Sequence, residues 1–237
     1  MKPRGLLTQG RPRALRYESK YGTRRVAHRT GNAARTIGPL APGDRVTGVT
    51  AGQFSAIDIM EHMVEQLGPA SVCVSTWTSG IYDVERTRAI QVAGRITEAR
   101  FLLDRANFEK SPKHAGPMIE LLGVDAFRCC AVHAKVVIVH GERGAAVMRG
   151  SMNLNKNLRT EQFDIDVDDE VAGFYLGWFE ALWTESGRSH SNADIIKAVY
   201  DRYRDGDEEE EVKPAARTRV AREAEEVVTM EEIEKWT

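Results

Sequence analysis

Two short apolar runs on either side of a tight polar turn limit this chain most. Val132 to Val139 and Ala145 to Met148 flank His140-Gly141-Glu142-Arg143-Gly144. Apolar runs of this length joined by a glycine-bounded turn predict a β-hairpin. The chain before the hairpin alternates between helical and strand-like patterns. Phe54, Ile57, Ile59, Met60, Met63, Val64 and Leu67 recur at helical spacing, and Gly68-Pro69 closes that helix. Ser71 to Trp77 reads as a buried strand. A second helix runs from near Asp83 to about Ile96, and Ala99 to Leu103 is strand-like. Met118 to Leu122 ends a third helix at Gly123, and Phe127 to Ala131 is a further strand. After the hairpin, Phe163, Ile165 and Val167 alternate with acids like a half-buried strand, and Val171 to Trp183 forms a bulky apolar helix. Strands alternating with helices, then hairpin-linked strands, predict an α/β (α+β) sandwich: a mixed central β-sheet flanked by helices.

Charge divides the chain. Residues 1–35 hold ten Lys or Arg against the single acid Glu18, and residues 205–237 hold twelve acids against five bases. The expected organisation is therefore a basic, largely irregular arm over 1–45, a folded domain over 46–204, an acidic linker over 205–215 and a charged helix over 216–237. The arm suits either a polyanionic partner or a solvated extension, and the last helix suits a solvated helix, docking to a protein or masking of a basic surface. The three cysteines, Cys73, Cys129 and Cys130, fall in apolar strand-like runs. They read as buried thiols and not as a disulfide framework or a zinc site. No stretch approaches the ~18 apolar residues of a membrane span, and the N-terminus lacks the apolar core of a secretory signal. These features point to a cytoplasmic protein without membrane association.

The chemistry is concentrated in residues 133–161, HAKVVIVHGERGAAVMRGSMNLNKNLRTE. Alternate residues of a strand share a face, so His133 and Lys135 project together. Antiparallel return brings Gly150-Ser151-Met152-Asn153 back beside them. Imidazole, ammonium, hydroxyl and carboxamide then meet at one edge, with Glu161 eight residues beyond Asn153. This set suits phosphoryl transfer without a metal or any other cofactor. Lys135 and Asn153 can offset the phosphate charge. His133 can attack phosphorus, with Glu161 the candidate to fix its tautomer and stabilise the imidazolium. A second acid must protonate the leaving oxygen. His28, His62, His114, His140 and His190 lack a lysine two residues on, so one chain holds half of the pair. A two-fold homodimer with its axis through the site would supply the rest.

His133-x-Lys135 followed by Gly150-Ser151-x-Asn153 resembles the signature of the phospholipase D superfamily, and the single copy is similar to its small dimeric bacterial nucleases. The looser resemblance over residues ~45–185 implies a phospholipase D-like fold. It also implies a phosphohistidine intermediate, with His133 as nucleophile or acid, Lys135 and Asn153 binding phosphate, Ser151 hydrogen-bonding in the site and Glu161 orienting the histidine. One position departs from the family pattern: His140 stands where an Asp is usual, five residues after the lysine. The first expectation is thus a homodimeric, metal-independent nuclease, with DNA ranked ahead of RNA and lipid below both. The alternative is a catalytically degenerate module that holds nucleic acid or a protein partner.

Overall fold

The computed structural model describes residues 23–27, 33–50, 52–110, 112–155, 159–188 and 190–206. In chain order the elements are β1 (Thr23–Ala27), α1 (Ala33–Ile37), β2 (Arg45–Thr50), α2 (Ala56–Leu67), β3 (Ala70–Thr76), α3 (Ile81–Val92), β4 (Ile96–Asp104), α4 (Arg105–Lys110), α5 (Pro112–Leu122), β5 (Phe127–Cys130), β6 (Lys135–Gly141), β7 (Gly144–Gly150), β8 (Glu161–Asp166), α6 (Asp169–Arg188) and α7 (His190–Arg204). All eight strands join one sheet in the order β1-β2-β8-β7-β6-β3-β4-β5. The central run from β2 to β3 is antiparallel, and parallel partners extend it at both ends. This is the mixed α/β sandwich that the sequence pattern predicts. The strand directions have a further result: the carboxyl ends of β2, β3, β4 and β7 and the amino ends of β6 and β8 lie along one edge.

Side-chain alternation fills two layers. Val137, Val139, Ala146, Met148, Phe163 and Ile165 pack with residues of α2, α3, α5 and α7. Val136, Ile138 and Val147 face the other way, with Val171 and Phe179 of α6. Each large side chain buried this completely contributes roughly 1.5–3 kcal/mol. The cysteines are free and buried, as expected. Cys129 belongs to the first layer, and Cys73 and Cys130 to the α6 layer. Burial pushes Cys129 up to about 12 and Cys73 and Cys130 up to about 11.

Local signals explain the elements that match. The Asp58 carboxylate accepts the Ser55 backbone N–H at 2.7 Å and its hydroxyl at 3.0 Å, which starts α2. Gly68, at φ +85°, ends it. The β6–β7 connection is a two-residue turn, Glu142-Arg143, shorter than the five-residue turn expected, so His140 falls within β6. Arg143 clamps that turn to the C-terminus of α2. Its Nε and Nη2 donate to the carbonyls of Gln66 and Glu65 at 2.8 and 2.9 Å, and its backbone N–H donates to Leu67 at 3.0 Å. These carbonyls have no partner within the helix.

Other expectations are corrected. Within the stretch 1–45, expected to be largely irregular, the described residues form β1 and α1. β1 is an edge strand, held through its main chain to β2, and its Thr-Arg-Arg-Val-Ala sequence carries no apolar alternation. The second helix stops at Val92 because Gly94 takes φ +72°, and Ile96 opens β4 instead. α4 was not foreseen. Residues 1–22 and 28–32 of the arm, most of the acidic linker and the expected helix over 216–237 lie outside the described residues.

Two features lock β8 into the sheet. Asp166, 2% exposed, accepts from Arg45 Nε at 2.7 Å and also pairs with Arg149, tying β2, β8 and β7 together. Nearer the site edge, a Cβ on Gly150 would lie 2.2 Å from the Gln162 carbonyl oxygen. Gly150→Ala should therefore push β7 from β8 and cost about 1–3 kcal/mol. At this chain length each kcal/mol lowers the thermal midpoint by about 2–4 °C. An unchanged midpoint by calorimetry would refute such close approach.

Candidate active site

The site edge collects polar groups from several strands. β6 begins at Lys135, so His133 sits just before the strand and not within it, as the expected start at Val132 had placed it. It keeps the i, i+2 alternation with Lys135, and both side chains meet. Lys135 Nζ lies 3.0 Å from His133 Nδ1, 3.2 Å from Nε2 and 2.8 Å from the His133 carbonyl oxygen. An ammonium only donates, so the ring nitrogen that receives its proton carries none of its own. Ser75 Oγ donates to the Ala134 carbonyl at 2.9 Å, holding the intervening peptide against the end of β3. His133 is exposed to solvent.

The second half of the signature follows from register. Lys135 stands opposite Gly150, so Ser151 emerges at the same edge. Its backbone N–H donates to the Gln162 carbonyl at 3.1 Å, and its Oγ accepts from the Gln162 N–H at 3.0 Å. The Ser151 hydroxyl donates to the Glu161 carboxylate. The chain then crosses towards β3. The Leu154 N–H donates to Thr76 Oγ1 at 3.0 Å, and the Gly80 N–H donates to the Leu154 carbonyl at 2.8 Å. This crossing carries Asn153 to the end of β3, where its Oδ1 is 3.5 Å from Thr76 Oγ1. The Thr76 hydroxyl has a closer acceptor, the Thr78 carbonyl at 2.7 Å, so it is a weak partner for Asn153.

His133 and Lys135 are thus in direct contact, and so are Ser151 and Glu161. The two pairs are linked through charge, because Glu161 acts electrostatically on Lys135. The expected partnership of Glu161 with the His133 ring gives way to one with Ser151. The β7–β8 register sets Ser151 beside Gln162, within reach of the Glu161 carboxylate. Lys135 is partly buried, and desolvation lowers its pKa from the ordinary lysine value; Glu161 and Asp104 pull the other way. His140 is exposed near the opposite end of β6, roughly 17 Å of strand from Lys135. The departure from the expected Asp therefore touches the turn end of β6 and not this edge.

Two residues at the edge went unrecognised in the sequence. The Trp77 ring lies 5.8 Å from that of His133, centroid to centroid, at 51°. Asp104, at the end of β4, is close enough to act on Lys135. Both arrive through strand order, which the sequence pattern leaves open. Among the described residues, no three His, Cys, Asp or Glu side chains group as metal ligands. No described helix is long and apolar enough to cross a membrane.

The sequence matches no family model and no curated protein. Solved structures similar to this chain include Nuc of Salmonella typhimurium, a phospholipase D family member. The identity is 14% and the TM-score 0.45, over 59% of this chain and 93% of that one. NucT of Helicobacter pylori is similar at 14% identity and a TM-score of 0.43, over 60% of this chain and 97% of its own.

If Lys135 must be charged to hold an anion, activity falls as pH rises through its pKa. Desolvation places that fall below the pH where an ordinary lysine titrates. Lys135→Arg, which stays protonated, should move the alkaline limb to higher pH in a pH–rate profile. An identical limb in the variant would show that Lys135 does not set it.

Proposed function

We propose that this chain is a metal-independent phosphodiesterase of the phospholipase D type, acting on nucleic acid, with its site completed by a second copy of the chain. The observation that carries the reading is the contact of Lys135 Nζ with the His133 ring at an exposed sheet edge, where Ser151, Asn153 and Glu161 also arrive. A phosphodiester entering this edge offers two anionic oxygens. Lys135 turns from the imidazole to those oxygens, which frees a ring nitrogen, and the Asn153 amide adds a neutral donor. The Ser151–Glu161 pair sets the charge next to the ammonium.

In the first step the free nitrogen of His133 forms a bond to phosphorus as the ester P–O bond breaks. A histidine of the partner subunit gives its proton to the departing oxygen. In the second step water attacks the phosphohistidine, that same histidine takes the water's proton, and the N–P bond breaks. Both electron pairs and protons are accounted for by side chains and water. The homodimer follows from this need for a second acid. The concentration of basic residues before residue 36 favours a polyanion over a small diester, and DNA ranks ahead of RNA.

Purified protein in EDTA should cut labelled DNA, and His133→Ala should abolish cutting while leaving the circular dichroism spectrum unchanged. Asn153→Ala should lower the rate by about 10²–10³-fold, as loss of one transition-state donor does. Sedimentation should give a dimer. Full cutting by His133→Ala would end the proposal. Tight binding of DNA by the wild type without cutting would leave the degenerate binding module as the better account.

A further inference from the structure

Trp77 is the exposed tryptophan among the described residues, at 41%, whereas Trp178 and Trp183 are part-buried against the α6 layer. It follows the last residue of β3, which sets its indole at the site edge beside His133. The same indole also walls a small, half-open cleft of about 40 Å³, shared with Ser79, Asp104, Asn107, Phe108 and His114. Tryptophan is a highly buried residue on average, and here one stays exposed between the imidazole and a cleft.

The chemistry of that cleft is specific. It has an aromatic wall, a second ring in Phe108, and a polar set containing both hydrogen-bond donors and acceptors. A phosphate needs none of the apolar surface, and an acyl chain would have to desolvate Asp104. A nucleobase matches both halves: its face stacks on an aromatic ring, and its edge carries donors and acceptors. A base inside a duplex has both faces covered by its neighbours and reaches a side-chain ring only after leaving the stack.

From this geometry we infer that Trp77 and its cleft form a base subsite, taking an unstacked nucleobase next to the phosphodiester held at His133 and Lys135. Single-stranded or unpaired nucleic acid is then the substrate class. As a statement about substrate the inference rests on the phosphodiesterase reading; as a statement about binding it stands alone.

The test measures binding in EDTA by fluorescence anisotropy, with full-length protein carrying His133→Ala so that nothing is cut. The probes are a single-stranded DNA oligomer, the same oligomer as a duplex, and a deoxyribose-phosphate oligomer lacking bases. Trp77→Ala should weaken the single strand about 5- to 150-fold, the range for loss of one base–aromatic stack. It should leave the base-free oligomer unchanged, and Trp77→Phe should restore most of the loss. The duplex should bind less tightly than the single strand in the parent and equally in Trp77→Ala. Equal weakening of the base-free oligomer would overturn the subsite and make Trp77 a positioning residue for its neighbours. An unaltered single-strand affinity, or a duplex bound as tightly as the single strand, would also overturn it. If the parent protein without His133→Ala cuts none of the three while the Trp77 effect holds, the phosphodiesterase reading fails and the base subsite survives.

Discussion

The antiparallel ladder between β6 and β7 is the constraint on which the site depends. Its register sets Lys135 opposite Gly150, and from that pairing the rest follows. His133 and Ser151 leave their strands at the same edge, and the chain beyond Ser151 crosses to the end of β3. A slip of one residue would turn Val137 and Val139 out of the first layer and move Ser151 out of register with the His133–Lys135 pair. Arg143 resists such a slip at the turn, where it grips the end of α2.

Strand direction gathers the polar groups of this edge. Antiparallel pairing of β3, β6, β7 and β8 alternates carboxyl and amino ends, and the parallel extension through β4 adds Asp104 to the same row. The hydrophobic layers stop short of these strand ends, so Lys135 is only partly desolvated and His133 stays in water. A cation tuned by burial next to an exposed imidazole is an arrangement that strand ends can produce and strand centres cannot.

Much of this was legible in the sequence. Helical spacing up to Gly68, the alternation over Phe163, Ile165 and Val167, and the glycine-bounded turn are local patterns, and local patterns survive folding. The His133–Lys135 pair was legible for the same reason, being a matter of i, i+2 geometry. What escaped notice depends on neighbours far apart in the chain. β1 has little pattern of its own and is strand only because β2 offers it a ladder. Glu161 met Ser151 instead of His133 because of a register between two strands whose pairing the sequence leaves open. Trp77 read as the end of a buried strand, and only the strand order places it against the imidazole.

The three cysteines have a use beyond packing. At neutral pH they stay protonated and shielded, so an alkylating reagent meets a reactive thiolate only when the surrounding layer opens. Cys129 is enclosed on one side of the sheet, and Cys73 and Cys130 on the other. The chain thus carries its own pair of clocks, one timing how often the multi-helix side breathes and the other how often α6 lifts away.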